Sequence, residues 1–201
     1  MDKNFWNERY HANKTTYGFE PNAFFKSQLD RLPPGNLLLP AEGEGRNALY
    51  AAQHGWQVTA YDFSEVARIK TLTRALELNL LNLEYHVEDL SQIQLKENTF
   101  DAVGIIFVHL PETVRQRLHV ACIQSLRPGG SLIMEVFSKH QLQYNSGGPK
   151  EYALLSSVEI LQQDFASLEV GLLEERVIEL NEGPFHSGPA HVVRMVATKI
   201  P

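Results

Sequence analysis

The feature that most constrains the fold is a regular alternation of short apolar runs with amphipathic stretches, which begins after residues 33–35. Residues 36–39 predict a buried strand, and a glycine turn separates this strand from a predicted helix over residues 46–54. Residues 102–108 are apolar throughout, as in a central parallel strand that helices cover on both faces. This order of elements predicts an α/β sheet.

The other elements follow from the same patterns. Helices are predicted over residues 3–12, 21–31, 64–79 and 111–126, and strands over residues 57–61, 83–87 and 131–136. Ser156 and Glu159 have capping-box spacing and predict one more short helix. Two long strand-like segments, 168–180 and 190–200, flank the turn at residues 181–184 and predict an antiparallel pair.

Length and composition indicate one ordinary domain. The chain has 201 residues, of which 43% are hydrophobic, so we expect a single domain over residues 1–201, with a helical N-terminal cap at 1–32 and a core at 33–201. The sequence shows neither a signal peptide nor an apolar run near the ~18 residues of a membrane span. We therefore expect a cytoplasmic protein with no membrane partner. The single cysteine, Cys122, cannot form an intrachain disulfide.

The net charge of −6 disfavours nucleic acid as a partner, because an acidic surface repels phosphate backbones. A small-molecule partner is expected instead. The sequence leaves both a monomer and a homodimer open.

A glycine turn and an aspartate mark the candidate ligand site, which in an open α/β sheet lies beyond the carboxyl ends of the strands. Gly43, Gly45 and Ala48 follow the first strand and satisfy the dinucleotide pattern G-x-G-x-x-A. Asp62 ends the second strand, where a carboxylate can accept hydrogen bonds from both hydroxyls of an adenosine ribose. Together they predict a nucleoside-containing cofactor. The alternative is a tight turn with a helix-capping aspartate.

Charge separates two such cofactors. Carboxylates at Glu42 and Glu44 would repel a pyrophosphate but not a sulfonium or an ammonium group, which favours S-adenosylmethionine over NAD. Asp89 follows the third strand and is placed to accept a hydrogen bond from an adenine amino group, or to cap a turn.

The segment 37–52 resembles the first motif of the class I S-adenosylmethionine-dependent methyltransferases and, within them, the tellurite-resistance and thiopurine methyltransferase-like branch. Supporting matches, in order along most of the chain, are residues 58–64, 88–90, 100–103, 126–130 and 182–188. The resemblance implies a three-layer Rossmann-like, seven-stranded sheet of order 3-2-1-4-5-7-6 with strand 7 antiparallel. It also implies methyl transfer to a small acceptor such as a thiol or a selenium or tellurium species.

The resemblance also implies which residues bind the cofactor: Ala41, Glu42, Gly43, Glu44, Gly45, Arg46, Asp62, Phe63, Asp89, Leu90 and Ile106. Arg46 would meet the cofactor carboxylate or face solvent. Many family members have an acidic residue at the position of Leu39 and a glycine at that of Ala41, and we expect Glu42 to compensate for this departure.

Histidines and late loops supply the catalytic candidates. His109 closes the central strand and is the candidate general base, or else caps the next helix. Tyr17, Asn145 and His186 are candidates for binding the acceptor, although the arm that carries Tyr17 could simply pack on the sheet. His186 and His191, with no cysteine beside them, make a poor metal motif, and no metal is predicted.

Two other functions compete with this interpretation. Tyr10 and Lys14 match the Tyr-x-x-x-Lys pair of short-chain dehydrogenases, which act with NAD, but both precede the first strand, where that chemistry has no place. A non-catalytic module that binds S-adenosylmethionine for regulation would carry the same binding residues as an enzyme.

Overall fold

A seven-stranded mixed sheet forms the centre of the computed structural model, which describes residues 3–200. Its strands are β1 (Asn36–Pro40), β2 (Gln57–Asp62), β3 (Leu83–Val87), β4 (Phe100–Ile106), β5 (Leu126–Phe137), β6 (Leu168–Asn181) and β7 (Ser187–Lys199). The order is β3-β2-β1-β4-β5-β7-β6, and β7 runs antiparallel to both of its neighbours. This confirms the order and the antiparallel last strand that the sequence predicted.

In the described part of the chain, six α-helices and two short 3-10 helices surround the sheet. The α-helices are α1 (Lys3–Ala12), α2 (Ala23–Leu29), α3 (Arg46–Gln53), α4 (Glu65–Glu77), α5 (Glu112–Ser125) and α6 (Val158–Asp164), and the 3-10 helices are Lys139–Gln143 and Tyr152–Leu154. Among residues 3–200, no helix is long and apolar enough to cross a membrane.

The sheet separates two hydrophobic cores, which gives the three layers expected from the sequence. Leu38 of β1 belongs to the core that holds Leu118 of α5, whereas its neighbours Leu37 and Leu39 belong to the core that holds Phe25 of α2. All these side chains are fully buried, or 1% exposed at most. The apolar character of the central strands thus reflects burial on both faces.

Side-chain caps set two helix starts. Ser64 precedes α4, and its Oγ accepts a hydrogen bond from the N–H of Ala67 at 3.2 Å, as predicted. The predicted capping box at Ser156 is wrong by one residue, because Ser157 caps α6 instead. The backbone of Ser156 is used elsewhere: it pairs with Phe137 and Lys139 and continues the sheet beside β5.

The N-terminal arm, residues 3–22, is held at the carboxyl ends of the strands by one lysine of α4. Lys70 donates to the carbonyl oxygens of Tyr10 and Asn13, just at and beyond the end of α1, and forms an ion pair with Glu44 at 2.7 Å. Asn7 of α1 accepts a hydrogen bond from the Ser64 hydroxyl at 2.6 Å. Helix α1 therefore lies across the turn that follows β1.

Two strained residues mark the same edge of the sheet. Ala41 follows β1 with φ +54°, and Phe107 follows β4 with φ +53°. The two strands are parallel neighbours, so both residues lie at one edge. Left-handed backbone at residues other than glycine is costly, and it concentrates at functional sites. This edge is where the candidate site is built.

Candidate active site

The turn after β1 needs glycine at two positions. Gly43 and Gly45 take φ +62° and +77°, and a Cβ on Gly43 would lie 2.7 Å from the Tyr10 hydroxyl oxygen. A Cβ on Gly45 would lie 2.2 Å from the Thr71 methyl carbon. Tyr85 donates its hydroxyl to the Gly43 carbonyl oxygen at 2.6 Å. The turn is therefore enclosed by side chains of α1, α4 and β3.

Asp62 is held at the end of β2 by backbone donors. Its Oδ2 accepts from the N–H of Gly43 and its Oδ1 from the N–H of Ser64, both at 2.9 Å. Asp62 is buried, with only 6% of its surface exposed. Burial raises the pKa of the carboxyl to about 6, although these backbone donors oppose the rise. A carboxylate oxygen has more than one acceptor position, so Asp62 can still bind ligand hydroxyls.

Glu42 and Glu44 point into the protein. Glu42 Oε1 accepts from the N–H of Ala48 at 2.7 Å, which satisfies a free donor in the first turn of α3. Burial raises the pKa of Glu42 to about 7. Glu44 accepts from the N–H of Thr16 at 2.6 Å and pairs with Lys70. Each carboxylate therefore has a partner in the protein, which weakens the argument from their charge for a sulfonium over a pyrophosphate.

A network of charged side chains, which the sequence did not suggest, joins the arm to the last two strands. Arg46 Nη2 pairs with Glu182 at 2.8 Å, so it neither faces solvent nor stands free. Asn22 donates from Nδ2 to Glu182 at 3.0 Å and to Glu135 at 2.6 Å. Glu135 is fully buried and also accepts from Arg194. No local pattern could reveal these pairs, whose members lie 136 and 113 positions apart in the chain.

His186 lies in an aromatic enclosure at the end of β4. Its ring centroid is 4.4 Å from that of Tyr17, 4.7 Å from that of Phe107 and 5.3 Å from that of Phe137. The residue is 6% exposed. The structure thus brings two of the three predicted acceptor-binding residues, Tyr17 and His186, into direct contact.

Glu182 fixes the orientation of the His186 ring, whose Nδ1 lies 3.2 Å from Glu182 Oε2. Burial lowers the pKa of His186, and the nearby Arg46 contributes in the same direction. Burial also acts to raise the pKa of Glu182, but His186 and Arg46 outweigh it and bring that pKa to about 2. A neutral imidazole therefore donates from Nδ1 to a carboxylate. Among residues 3–200, no hydrogen bond uses Nε2, which stays available to accept a proton.

His109 has no such free nitrogen. Its Nδ1 lies 3.0 Å from the Leu154 carbonyl oxygen, and its Nε2 accepts from the N–H of Phe137 at 3.4 Å. Burial lowers the pKa of this ring to about 4. These contacts tie the end of β4 to two neighbouring segments and favour His186 over His109 as the candidate general base.

The remaining candidates line the same edge less directly. Asp89 is exposed, and its Oδ1 accepts from the N–H of Ser91 at 2.9 Å, as a turn-capping aspartate does. Leu90 is buried in the core, whereas Phe63 and Ile106 are half-buried at the ends of β2 and β4. Asn145 is exposed, so the structure does not place it with Tyr17 and His186.

A cavity of about 300 Å³ adjoins the enclosure between the arm and the last two strands. Its lining includes Tyr17, Asn22, Glu135, Glu182 and Arg194. The charged network therefore forms one wall of a space large enough for a small molecule.

Comparison with known proteins agrees with this architecture. Residues 40–130 match the family model described as a methyltransferase domain. A thiopurine S-methyltransferase of Legionella pneumophila (strain Corby) is 24% identical over 212 residues, which cover 94% of this chain and 93% of that protein.

Two solved structures show the same fold. TehB from Haemophilus influenzae superposes with a TM-score of 0.75 at 17% identity, over 98% of this chain and 66% of TehB. A structure from echinomycin biosynthesis, concerned with conversion of a disulfide bond into a thioacetal group, gives a TM-score of 0.76 at 17% identity, over 98% and 92% of the two chains. The sheet order, the turn after β1 and the matched methyltransferase domain support a class I S-adenosylmethionine-dependent methyltransferase, with S-adenosylmethionine as its cofactor.

Proposed function

We propose that this enzyme methylates a small soft nucleophile, a thiol or a reduced selenium or tellurium species, with His186 as the group that receives the acceptor's proton. The observation that carries the proposal is the free Nε2 of His186 inside an aromatic enclosure at the end of β4. The name of the thiopurine S-methyltransferase supports a sulfur acceptor.

The residues at the strand ends fit the methyl donor. Asp62 would accept hydrogen bonds from the ribose hydroxyls, since its buried carboxylate is already fixed by two backbone donors. The backbone of Ala41–Gly45 would contact the methionine part, and the two glycines allow the left-handed backbone that shapes this turn. Phe63, Asp89, Leu90 and Ile106 would surround the adenine and the ribose from β2, β3 and β4.

When bound, S-adenosylmethionine would supply a methyl group on a cationic sulfur, and this sulfur is the leaving group when a nucleophile attacks the methyl carbon in line. The protein's part is to orient the acceptor, exclude water and accept a proton. A thiol has a pKa of about 8.5 and is mostly protonated at neutral pH, so a base assists it. His186 Nε2 would take the S–H proton while Glu182 holds the ring through Nδ1. Tyr17, Phe107 and Phe137 would exclude water around the sulfur.

The cavity beside the enclosure supports a small acceptor over a macromolecule. It holds about 300 Å³, lies under the arm and is partly lined by apolar side chains such as Ile178 and Leu180. A net charge of −6 also disfavours a nucleic-acid substrate. We therefore assign the acceptor to the class of small molecules that fit between the arm and β6–β7.

A screen with radiolabelled S-adenosylmethionine tests the proposal. Small thiols, selenide, telluride, halides and carboxylates would be compared as acceptors, each with the unaltered enzyme and with His186→Asn. Labelled product from a thiol or a chalcogen species, strongly reduced in the variant, is the expected result. Transfer only to a carboxylate or a halide, or equal transfer by the variant, would contradict the assigned acceptor class or the role of His186 respectively.

A further inference from the structure

A second group of ligating side chains lies apart from the aromatic enclosure. His140, Glu175 and His191 each offer one ligand atom, and these three atoms all lie within 4.8 Å of one another. The side chains come from three different elements: the 3-10 helix Lys139–Gln143, β6 and β7. In the sequence, His191 is paired with His186 in a poor metal motif, but the fold places His191 beside His140 and Glu175.

The backbone holds these elements in place. Val177 of β6 pairs with His191 of β7, and Glu175 lies two residues before Val177, so its side chain is on the same face as that of His191. Ser138 donates its N–H to the His191 carbonyl oxygen at 2.9 Å, which fixes the start of the 3-10 helix against β7. The arrangement therefore needs no folding of a loop to bring its members together.

Hydrogen bonds orient both rings. His191 Nδ1 lies 2.7 Å from Ser138 Oγ, so its Nε2 remains for a ligand, and His140 Nδ1 lies 3.2 Å from Glu175 Oε2. The ring centroids of His140 and His191 are 4.9 Å apart.

We propose that His140, Glu175 and His191 bind a divalent transition metal ion of the zinc type. Two imidazole nitrogens and one carboxylate oxygen are a ligand set that zinc accepts, with a fourth position left for water. His140 is exposed, so an ion can enter from solvent and the ring can turn to close the ligand distances. Ser138 would act as the outer partner that orients His191, as outer hydrogen bonds do at many zinc sites.

Titration calorimetry with zinc chloride on untagged full-length protein tests the site, with the absorption spectrum of added Co²⁺ as a second measurement. We expect one equivalent of zinc to bind, and thermal unfolding to shift upward with zinc. His140→Ala, His191→Ala and Glu175→Gln should each weaken binding at least about tenfold, because even an outer partner commonly contributes that much. The matched control is His11→Ala, which removes an exposed imidazole of α1 and should leave zinc affinity unchanged.

Two results would overturn the proposal. One is that the unaltered protein binds no zinc, and the other is that His140→Ala and Glu175→Gln bind zinc as tightly as the unaltered protein. Circular dichroism in the presence of a chelator shows whether each variant is folded. If His191→Ala unfolds, His140→Ala and Glu175→Gln still decide the question, since both side chains lie at the surface or near it.

Discussion

The two ends of the candidate site are built in different ways. At the donor end, β1 and β2 pair as neighbouring parallel strands, and the Asp62 carboxylate accepts a hydrogen bond from the backbone N–H of Gly43 in the turn after β1. At the acceptor end, the Asn22 amide of the arm and the Arg46 guanidinium of α3 both bind the carboxylate of Glu182, which follows β6. The donor end thus depends on backbone shape, and the acceptor end on charge pairing between distant parts of the chain.

The largest expected effect is at the acceptor end. His186→Asn should lower kcat for a thiol acceptor by about 10²–10⁴, as loss of a general base does. Because burial lowers the pKa of His186 below its ordinary value of 6.5, the unaltered enzyme should keep its kcat at and somewhat below pH 6.5. His109→Asn is the control, and its pH profile should match that of the unaltered enzyme. A steady-state pH series would reverse the assignment if only His109→Asn changed the profile.

Glu135→Ala tests whether the charged network also supports the fold. Removal of this buried carboxylate leaves Arg194 without its partner, and we expect the free energy of unfolding to fall by about 3–5 kcal/mol. Glu174→Ala breaks an exposed pair with Arg176 and should cost less than about 1 kcal/mol. Equal losses in urea denaturation would show that burial of the network contributes nothing.

At the donor end, Asp62→Asn should weaken S-adenosylmethionine binding by about 1.5–3 kcal/mol, the range expected for loss of charge-assisted hydrogen bonds. The amide keeps an oxygen for one backbone donor, so the fold should persist. Asp89→Asn removes the charge of an exposed side chain and should have a smaller effect. Calorimetry that ranked Asp89 above Asp62 would place the main carboxylate contact on β3.

The pH dependence of stability should carry a mark of Glu42. The pKa of its carboxyl group is 4.5 in the unfolded chain but about 7 in the folded protein. Between these values the folded state binds more protons, so stability should fall as pH rises. Glu42→Gln should flatten this slope by about 1–3 kcal/mol over the window. Thermal unfolding across pH 4–8 measures it, and a slope that survives unchanged would assign it to other groups, such as Asp62.

The smallest effect is expected from Ala41→Gly. Left-handed backbone costs a residue with a Cβ roughly 1–2 kcal/mol, and the added freedom of glycine in the unfolded chain offsets about half of that. Stability should therefore rise by about 1 kcal/mol or less, with cofactor affinity equal or higher. Lower affinity in calorimetry would mean that the Ala41 methyl group itself contacts the ligand.

The positions of the residues at the donor end follow from local properties of the sequence, whereas the contacts at the acceptor end do not. The position of Asp62 after β2 follows from strand length and the glycine turn, which are local properties, and the sheet order came from the family resemblance. The bond between Asn22 and Glu135 joins residues 113 positions apart, and no periodicity encodes it. His109 was assigned correctly to the end of β4, but the sequence could not show that the Leu154 carbonyl oxygen occupies its ring nitrogen.

The contacts of Lys70 lower the electrostatic free energy needed to expose the turn after β1. If α1 separated from α4, the Lys70 ammonium would lose the carbonyl oxygens of Tyr10 and Asn13 but keep Glu44, so no charge would be left unpaired. Water can replace those carbonyl oxygens, and Lys70 and Glu44 remain a closed pair beside the glycines. Movement of the arm would therefore separate two carbonyl groups from Lys70 without breaking the ion pair between Lys70 and Glu44.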